Sequence, residues 1–151
     1  MLYIGADHGG FELKELIKQW LTERNIDYTD VGAHALNSQD DYPQFAFSVA
    51  ESVSQDPEQH RGIVLCRSAA GVIIAANKVK NIRAIAPVTI EAAILSKEHN
   101  NTNIIGISGD WMTLDVAKNI IHEWLQATFS EEERHRRRVH QIQLYEDQHI
   151  Y

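Results

Sequence analysis

The chain has 151 residues, 44% of them hydrophobic and 23% charged, with a formal net charge of −7. That length suits one domain, over residues 1–151, able to bury roughly 68–70% of its unfolded surface. The acidic balance excludes a general affinity for nucleic acid, whose binding is dominated by phosphate neutralisation. No apolar run approaches the roughly 20 residues that cross a bilayer, and Met-Leu-Tyr-Ile-Gly lacks the basic-then-apolar pattern of a secretory leader. No membrane partner and a cytoplasmic location are therefore expected. The one cysteine, Cys66, rules out an internal disulfide.

Tyr3-Ile4 is a short apolar segment closed by Gly5, after which Leu13, Leu16, Ile17, Trp20 and Leu21 share one helical face. Ile26 to Val31 reads as a second strand ending at Gly32. Beyond a polar loop, Phe45, Ala46, Val49, Ala50 and Val53 recur at helical spacing. Ile63-Val64-Leu65 is apolar at consecutive positions, the pattern of a strand covered on both faces. A short alanine-rich helix follows Gly71, and Ala84-Ile85-Ala86 forms a strand stopped by Pro87. Thr89 caps a helix to about Lys97, Ile104-Ile105 opens a fifth strand, and Thr113 caps a helix with Ala117, Ile120, Ile121, Trp124 and Leu125 on one face. Ser130 and Glu133 have capping-box spacing and open a charged terminal helix of about residues 130–145. Strands alternating with helices over short connections predict an α/β domain of three αβα layers, Rossmann-like, with a five-stranded, mainly parallel sheet and an extended C-terminal helix.

Ligands of open parallel sheets bind beyond the carboxyl ends of the strands. There the chain places Gly5-Ala6-Asp7-His8-Gly9-Gly10 after the first strand and Cys66-Arg67-Ser68-Ala69-Ala70-Gly71 after the third. These strands are neighbours in a flavodoxin-like order, so Asp7, His8, Cys66 and Ser68 line one crevice. Cys66 stands beside a helix start, where a thiolate is favoured. Singly, each has a plainer reading: Cys66 as packing, Asp7 and Ser68 as caps, His8 as surface. Their convergence on one edge favours chemistry.

A second cluster lies elsewhere. His99 and Asn100 end the helix after strand four, at the amino edge of the sheet, and Arg134 and Arg138 are spaced i, i+4 on the helix that starts near that edge. A plain reading makes His99 a helix C-cap and pairs the arginines with Glu131 to Glu133. A functional reading requires a two-fold partner to bring this cluster to the first.

The strings GADHGGFELK, CRSAAGVIIAANKVKNIRA, SKEHNNTN and EERHRRRV, in this order over roughly residues 2–142, resemble the type B ribose-5-phosphate isomerases, a family that includes galactose-6-phosphate isomerase subunits. The resemblance implies cofactor-independent aldose–ketose isomerisation of a sugar phosphate, with ribose 5-phosphate and ribulose 5-phosphate the leading pair, through an enediolate and without a metal. It implies Cys66 as the general base between C1 and C2, Ser68 assisting hydroxyl proton transfer, and His99 and Asp7 opening the furanose ring. It further implies His8, Arg134 and Arg138 as phosphate contacts, Asn100 and Gly71 in the substrate pocket, and loop N–H groups facing the enediolate oxygen. The resemblance also implies a homodimer with shared active sites, the terminal helix of about residues 130–145 packing on the partner, and leaves open whether dimers pair into a tetramer.

Two departures stand out. Arg67 and Ala69 replace glycines of the family's Cys-Gly-Thr-Gly-x-Gly loop, and a side chain at a position needing φ > 0 adds about 1–2 kcal/mol of strain. Asp110 stands where many relatives carry an arginine, and would repel a phosphate that it faced. Other chemistries fit less well. A Cys-x5-Arg phosphatase loop would need arginine where Val72 stands, and neither Gly-x-Gly-x-x-Gly nor a P-loop is present. His122-Glu123-Trp124 is not the zinc motif His-Glu-x-x-His, and the terminal basic helix has no aromatic platform for nucleic acid. The remaining alternatives are another pentose or hexose phosphate as substrate, or a sugar-phosphate binder with weak turnover.

Overall fold

The computed structural model describes residues 1–149. Five strands, β1 (Leu2–Ala6), β2 (Tyr28–Asp30), β3 (Arg61–Cys66), β4 (Ala84–Ile85) and β5 (Ile104–Ser108), alternate with six helices: α1 (Phe11–Glu23), α2 (Tyr42–Ser54), α3 (Ala70–Ala76), α4 (Ile90–Asn100), α5 (Leu114–Gln126) and α6 (Glu133–His149). All strand pairings are parallel, in the order β2-β1-β3-β5-β4. β1 and β3 are neighbours as expected, with Ala6 opposite Leu65. The last two strands are exchanged relative to a flavodoxin-like order, which leaves the two-residue β4 at an edge.

Right-handed crossovers assign the layers, because a connection running one way across the sheet puts its helix on the opposite face from one running back. One core joins α1, α4 and α5 to the sheet through Leu13, Ile17, Leu21, Ala93, Ile120, Ile121 and Trp124, with Ile63, Leu65 and Ile107 beneath them. The other joins α2 and α3 through Val49, Val53 and Val72, with Val64, Cys66 and Ile104. Consecutive strand residues thus serve opposite cores, which explains the unbroken apolar runs Ile63–Cys66 in β3 and Ile104–Ile107 in β5. The crossover direction reverses between β1 and β3. The carboxyl edge is open at that point.

The local signals held at two caps: Thr89 Oγ1 accepts from Ala92 N–H at 3.1 Å and Thr113 Oγ1 from Val116 N–H at 3.4 Å. Three expectations are corrected. β2 starts at Tyr28 rather than Ile26, because Asn25 at φ 55° closes α1 and Ile26 N–H returns to Leu21 O at 2.9 Å. Ser130 does not form a capping box, since α6 begins at Glu133; its hydroxyl lies 2.7 Å from His135 Nδ1, and Glu133 pairs with Arg137. Leu16 leaves the buried face and is 43% exposed. No helix among the described residues is long and apolar enough to cross a membrane.

Candidate active site

At the end of β1 the chain turns sharply into α1, and Asp7 makes the turn. Its Oδ1 accepts from the N–H groups of Gly9 and Gly10 at 2.9 and 3.1 Å, while its own N–H reaches Leu65 O at 3.3 Å. The side chain is thereby buried at the β1–β3 switch point. Burial pushes the Asp7 carboxyl above its usual range, against the pull of the Gly10 and Gly9 N–H groups and of His8, with Asp40 adding to the push. His8, one residue on, pairs with the loop before α2. Its N–H donates to Asp40 Oδ1 at 3.0 Å and its Nδ1 lies 2.6 Å from the same oxygen.

Cys66 ends β3 with its side chain in the α2–α3 core, 5% exposed, and its carbonyl accepts from Gly109 N–H at 2.9 Å. Ser68 Oγ accepts from Ala70 N–H at 3.3 Å, but the N-cap of α3 is Ala69, so Ser68 makes a turn contact ahead of the helix and is not its cap. Ala69 adopts φ 65°, the conformation a glycine would take without strain; Arg67 does not. Gly71 has no room for a side chain: a Cβ there would stand 2.7 Å from Cζ of the Tyr42 ring. Tyr42, partly exposed at the start of α2, is thus a wall of the thiol's edge that the sequence reading passed over.

Three loops lock together here. The stem of Arg67 lies against Gly9, Ser108 Oγ donates to Arg67 O at 2.6 Å, and Asp110 N–H donates to the same carbonyl at 3.1 Å. On the α1–α5 side they border an open cavity of about 550 Å³, lined among others by His8, Glu12, Leu16, Leu36, Arg67 and Asp110. Asp110 does face this cavity, but its Oδ1 is 3.4 Å from Arg67 Nη1, so one departure in the family loop pairs with the departure after β5. Cys66 and Ser68 do not line this cavity; His8 is the site candidate that does. Leu16 is exposed because it forms part of this wall.

Asp7, His8 and Asp40 come within 4.8 Å of one another, the spacing of a cation site. Three of their atoms are already engaged, Asp7 Oδ1 by two N–H groups and His8 Nδ1 by Asp40 Oδ1, while Asp40 Oδ2 has no hydrogen-bond partner among the described residues.

The second cluster lies at the amino edge. His99, in the last turn of α4, stacks on His135 of α6 with ring centroids 4.3 Å apart and planes tilted 35°. Burial, with the neighbouring His99 and Arg134, pushes the His135 imidazole down. Asn100 is exposed beside Asn101, which closes α4 at φ 48°. Arg134 Nε sits 2.9 Å from Glu132, Arg136 pairs with Glu131 and Arg137 with Glu133. Arg138 has no carboxylate within 4 Å among the described residues. Within one chain the two clusters therefore stand at opposite edges of the sheet, as the topology predicts.

Residues 2–142 match the model of the Ribose/Galactose Isomerase family. The chain belongs to this family. Ribose-5-phosphate isomerase B of Mycobacterium tuberculosis is 38% identical over 148 residues, covering 98% of this chain and 91% of that protein. Among solved structures, ribose-5-phosphate isomerase B of Clostridium thermocellum superposes with a TM-score of 0.91 at 40% identity, covering 97% of each chain. Ribose-5-phosphate isomerase B of Mycoplasma genitalium, with bound ribulose-5-phosphate, gives a TM-score of 0.93 at 35% identity, covering 97% of this chain and 95% of that one. The resemblance to type B isomerases read from the sequence is thus correct, and the protein is an aldose–ketose isomerase.

Proposed function

We propose that this isomerase interconverts ribose 5-phosphate and ribulose 5-phosphate with Cys66 as the general base. The observation that carries the reading is a thiol at the carboxyl end of β3, flanked by Asp7 and Ser68 at the switch point, in a chain that superposes on a relative with bound ribulose-5-phosphate. The Cys66 thiolate removes the proton from C2 of the open-chain aldose. The C2–H electrons form the C1=C2 bond, and the C1 carbonyl becomes an enediolate oxygen. Return of the proton to C1, with transfer of the O2 proton to O1 assisted by Ser68, gives the ketose. Asp7, with a carboxyl that holds its proton to higher pH than an ordinary aspartate, suits proton exchange with the ring oxygen alongside His99.

The substrate's phosphate lies between His8 and the arginines of α6 in this reading. Arg138, with no internal partner among the described residues, is the cation best placed to accept it; Arg134 exchanges Glu132 for the phosphate. Because His99, Asn100, Arg134 and Arg138 stand at the edge remote from their own Cys66, a second copy supplies them, and the working unit is a homodimer. Gly71 and Asn100 complete the pocket.

A second reading, a different pentose or hexose phosphate as substrate, is favoured by one feature. Arg67 and Asp110 place a neutral ion pair in the cavity beside His8. One experiment addresses both: incubation with a panel of pentose and hexose phosphates in deuterated water, for wild type and Cys66→Ala. Wild type incorporates deuterium at C1 or C2 of ribose 5-phosphate, and Cys66→Ala incorporates none. Turnover by Cys66→Ala above about a hundredth of wild type assigns the base elsewhere, and exchange confined to hexose phosphates selects the second reading. Binding without exchange on any sugar identifies a binder.

A further inference from the structure

We propose that Asp40 is a positioning residue, fixing which ring nitrogen His8 turns toward the phosphate monoester of the sugar; the inference rests on the role given to His8 above. Two contacts converge on one carboxylate oxygen. Asp40 Oδ1 accepts from His8 N–H at 3.0 Å and lies 2.6 Å from His8 Nδ1. A carboxylate only accepts, so Nδ1 carries a proton and Nε2 is the nitrogen left for a ligand. The side chains differ in access: Asp40 is 5% exposed and His8 25%. The acid is the enclosed, fixed member, and the imidazole is the one a solute can reach.

Asp40 is also held at an energetic cost. Its second oxygen, Oδ2, is buried without a hydrogen-bond partner among the described residues. A buried acceptor left unpaired is unfavourable, because it has given up water without a replacement. Nothing else in the described structure offsets it, because His8 is the sole partner of the Asp40 side chain. The loop is built to place it: Asn37 Oδ1 accepts from Gln39 N–H at 3.1 Å, and Asn37 O from Asp40 N–H at 3.1 Å, immediately before the Asp41 cap of α2. The pair spans 32 residues and ties the β1–α1 turn to the entrance of α2.

The consequence concerns the form in which His8 meets a phosphate. With Nδ1–H committed to Asp40, neutral His8 presents a bare lone pair at Nε2, which accepts but does not donate. A phosphate dianion is held best by the ring protonated on both nitrogens, with Asp40 fixing its orientation and balancing the imidazolium charge from behind; without Asp40 a neutral, unfixed Nε2–H ring is the weaker donor that remains. Asp7 next to the pair, and Glu12, Arg67 and Asp110 around the cavity, are the other charged groups that His8 meets.

The test combines nitrogen-15 NMR of the His8 ring, recorded where the ring is neutral, with steady-state kinetics on ribose 5-phosphate for wild type, Asp40→Asn and Asp40→Ala. Wild-type His8 is expected to carry its proton on Nδ1, and Asp40→Ala to move it predominantly to Nε2. In Asp40→Ala, KM rises about tenfold while kcat stays within about twofold, and Asp40→Asn lies between. An Nε2–H tautomer in the wild type, or a KM in Asp40→Ala within about twofold of wild type, overturns the proposal. Should Asp40→Ala not fold, the near-isosteric Asp40→Asn bears the same test through KM and the ring spectrum. Absence of isomerisation by the wild type itself would sink the functional reading alone. The tautomer, followed as inorganic phosphate is titrated in, then still decides whether Asp40 governs His8.

Discussion

Ala69 is the residue where this chain differs most plainly from what its backbone asks for. At φ 65° it occupies the left-handed region with a side chain that is 1% exposed. A non-glycine residue there is strained by roughly 1–2 kcal/mol, whereas losing one buried methyl group costs about 0.8 kcal/mol. The first effect is the larger. Ala69→Gly is therefore expected to stabilise the protein by up to about 1 kcal/mol, a rise of about 2–4 °C in the melting midpoint at this chain length. An unchanged or lowered midpoint in thermal unfolding would show that the methyl contact with the 106 region outweighs the strain. The neighbouring Arg67 carries no such strain, and its guanidinium is taken up by Asp110. The two loop substitutions thus differ in kind: one acts on the backbone, the other on the charge of the cavity.

At the scale of elements, α6 and α4 hold the amino-edge cluster. Three arginines of α6 have carboxylate partners and Arg138 has none among the described residues, so removal of Arg138 breaks no internal ion pair there. Arg138→Ala is expected to raise KM for the phosphorylated sugar by at least about tenfold, in keeping with the ~1.5–3 kcal/mol of a charge-assisted hydrogen bond. Arg136→Ala, which loses only a surface pair, should change KM by less than about twofold. Equal effects of the two would point to a solvated charged face instead. Beneath this cluster, α4 buries Lys97, whose ammonium donates to Asn101 Oδ1 at 2.8 Å and Thr102 O at 3.2 Å. Burial, with Arg61 and Arg83 nearby and Glu58 opposing, pushes Lys97 down to about 7 from 10.5. Between those values the unfolded chain holds the extra proton, so this group makes stability rise with pH from about 7 toward 10.5, and its full penalty applies below 7. Urea unfolding across that window should show the rise in wild type and a flatter profile in Lys97→Met.

For the whole molecule, the deciding geometry is the separation of the two clusters on one sheet. If a second copy completes each site, a Cys66→Ala chain and a His99→Ala chain are each inactive alone but complementary in a mixed dimer. That dimer has one intact site of two. After free subunit exchange about half the dimers are mixed, so about a quarter of wild-type activity should return. No recovery, with exchange verified by mass-tagged subunits, would mean that each chain builds its site alone.

The element order, the parallel sheet and the edge that carries Asp7, His8, Cys66 and Ser68 were all legible in the chain, because period, caps and turn residues act over a few neighbours. The placement of His99, Asn100, Arg134 and Arg138 at the opposite edge, which a shared site would need a second copy to bridge, also followed from counting helix crossings. What lay out of reach were contacts between segments remote in sequence. Asp40, inside a polar loop beside Asp41, gives no local hint that it closes on His8; nor does Tyr42 of its contact with Gly71, or Arg67 of its pairing with Asp110. Ser130 read as a cap and became the partner of His135 for the same reason. A side chain's partner is chosen by whichever loop arrives opposite it, and that is decided when the layers pack.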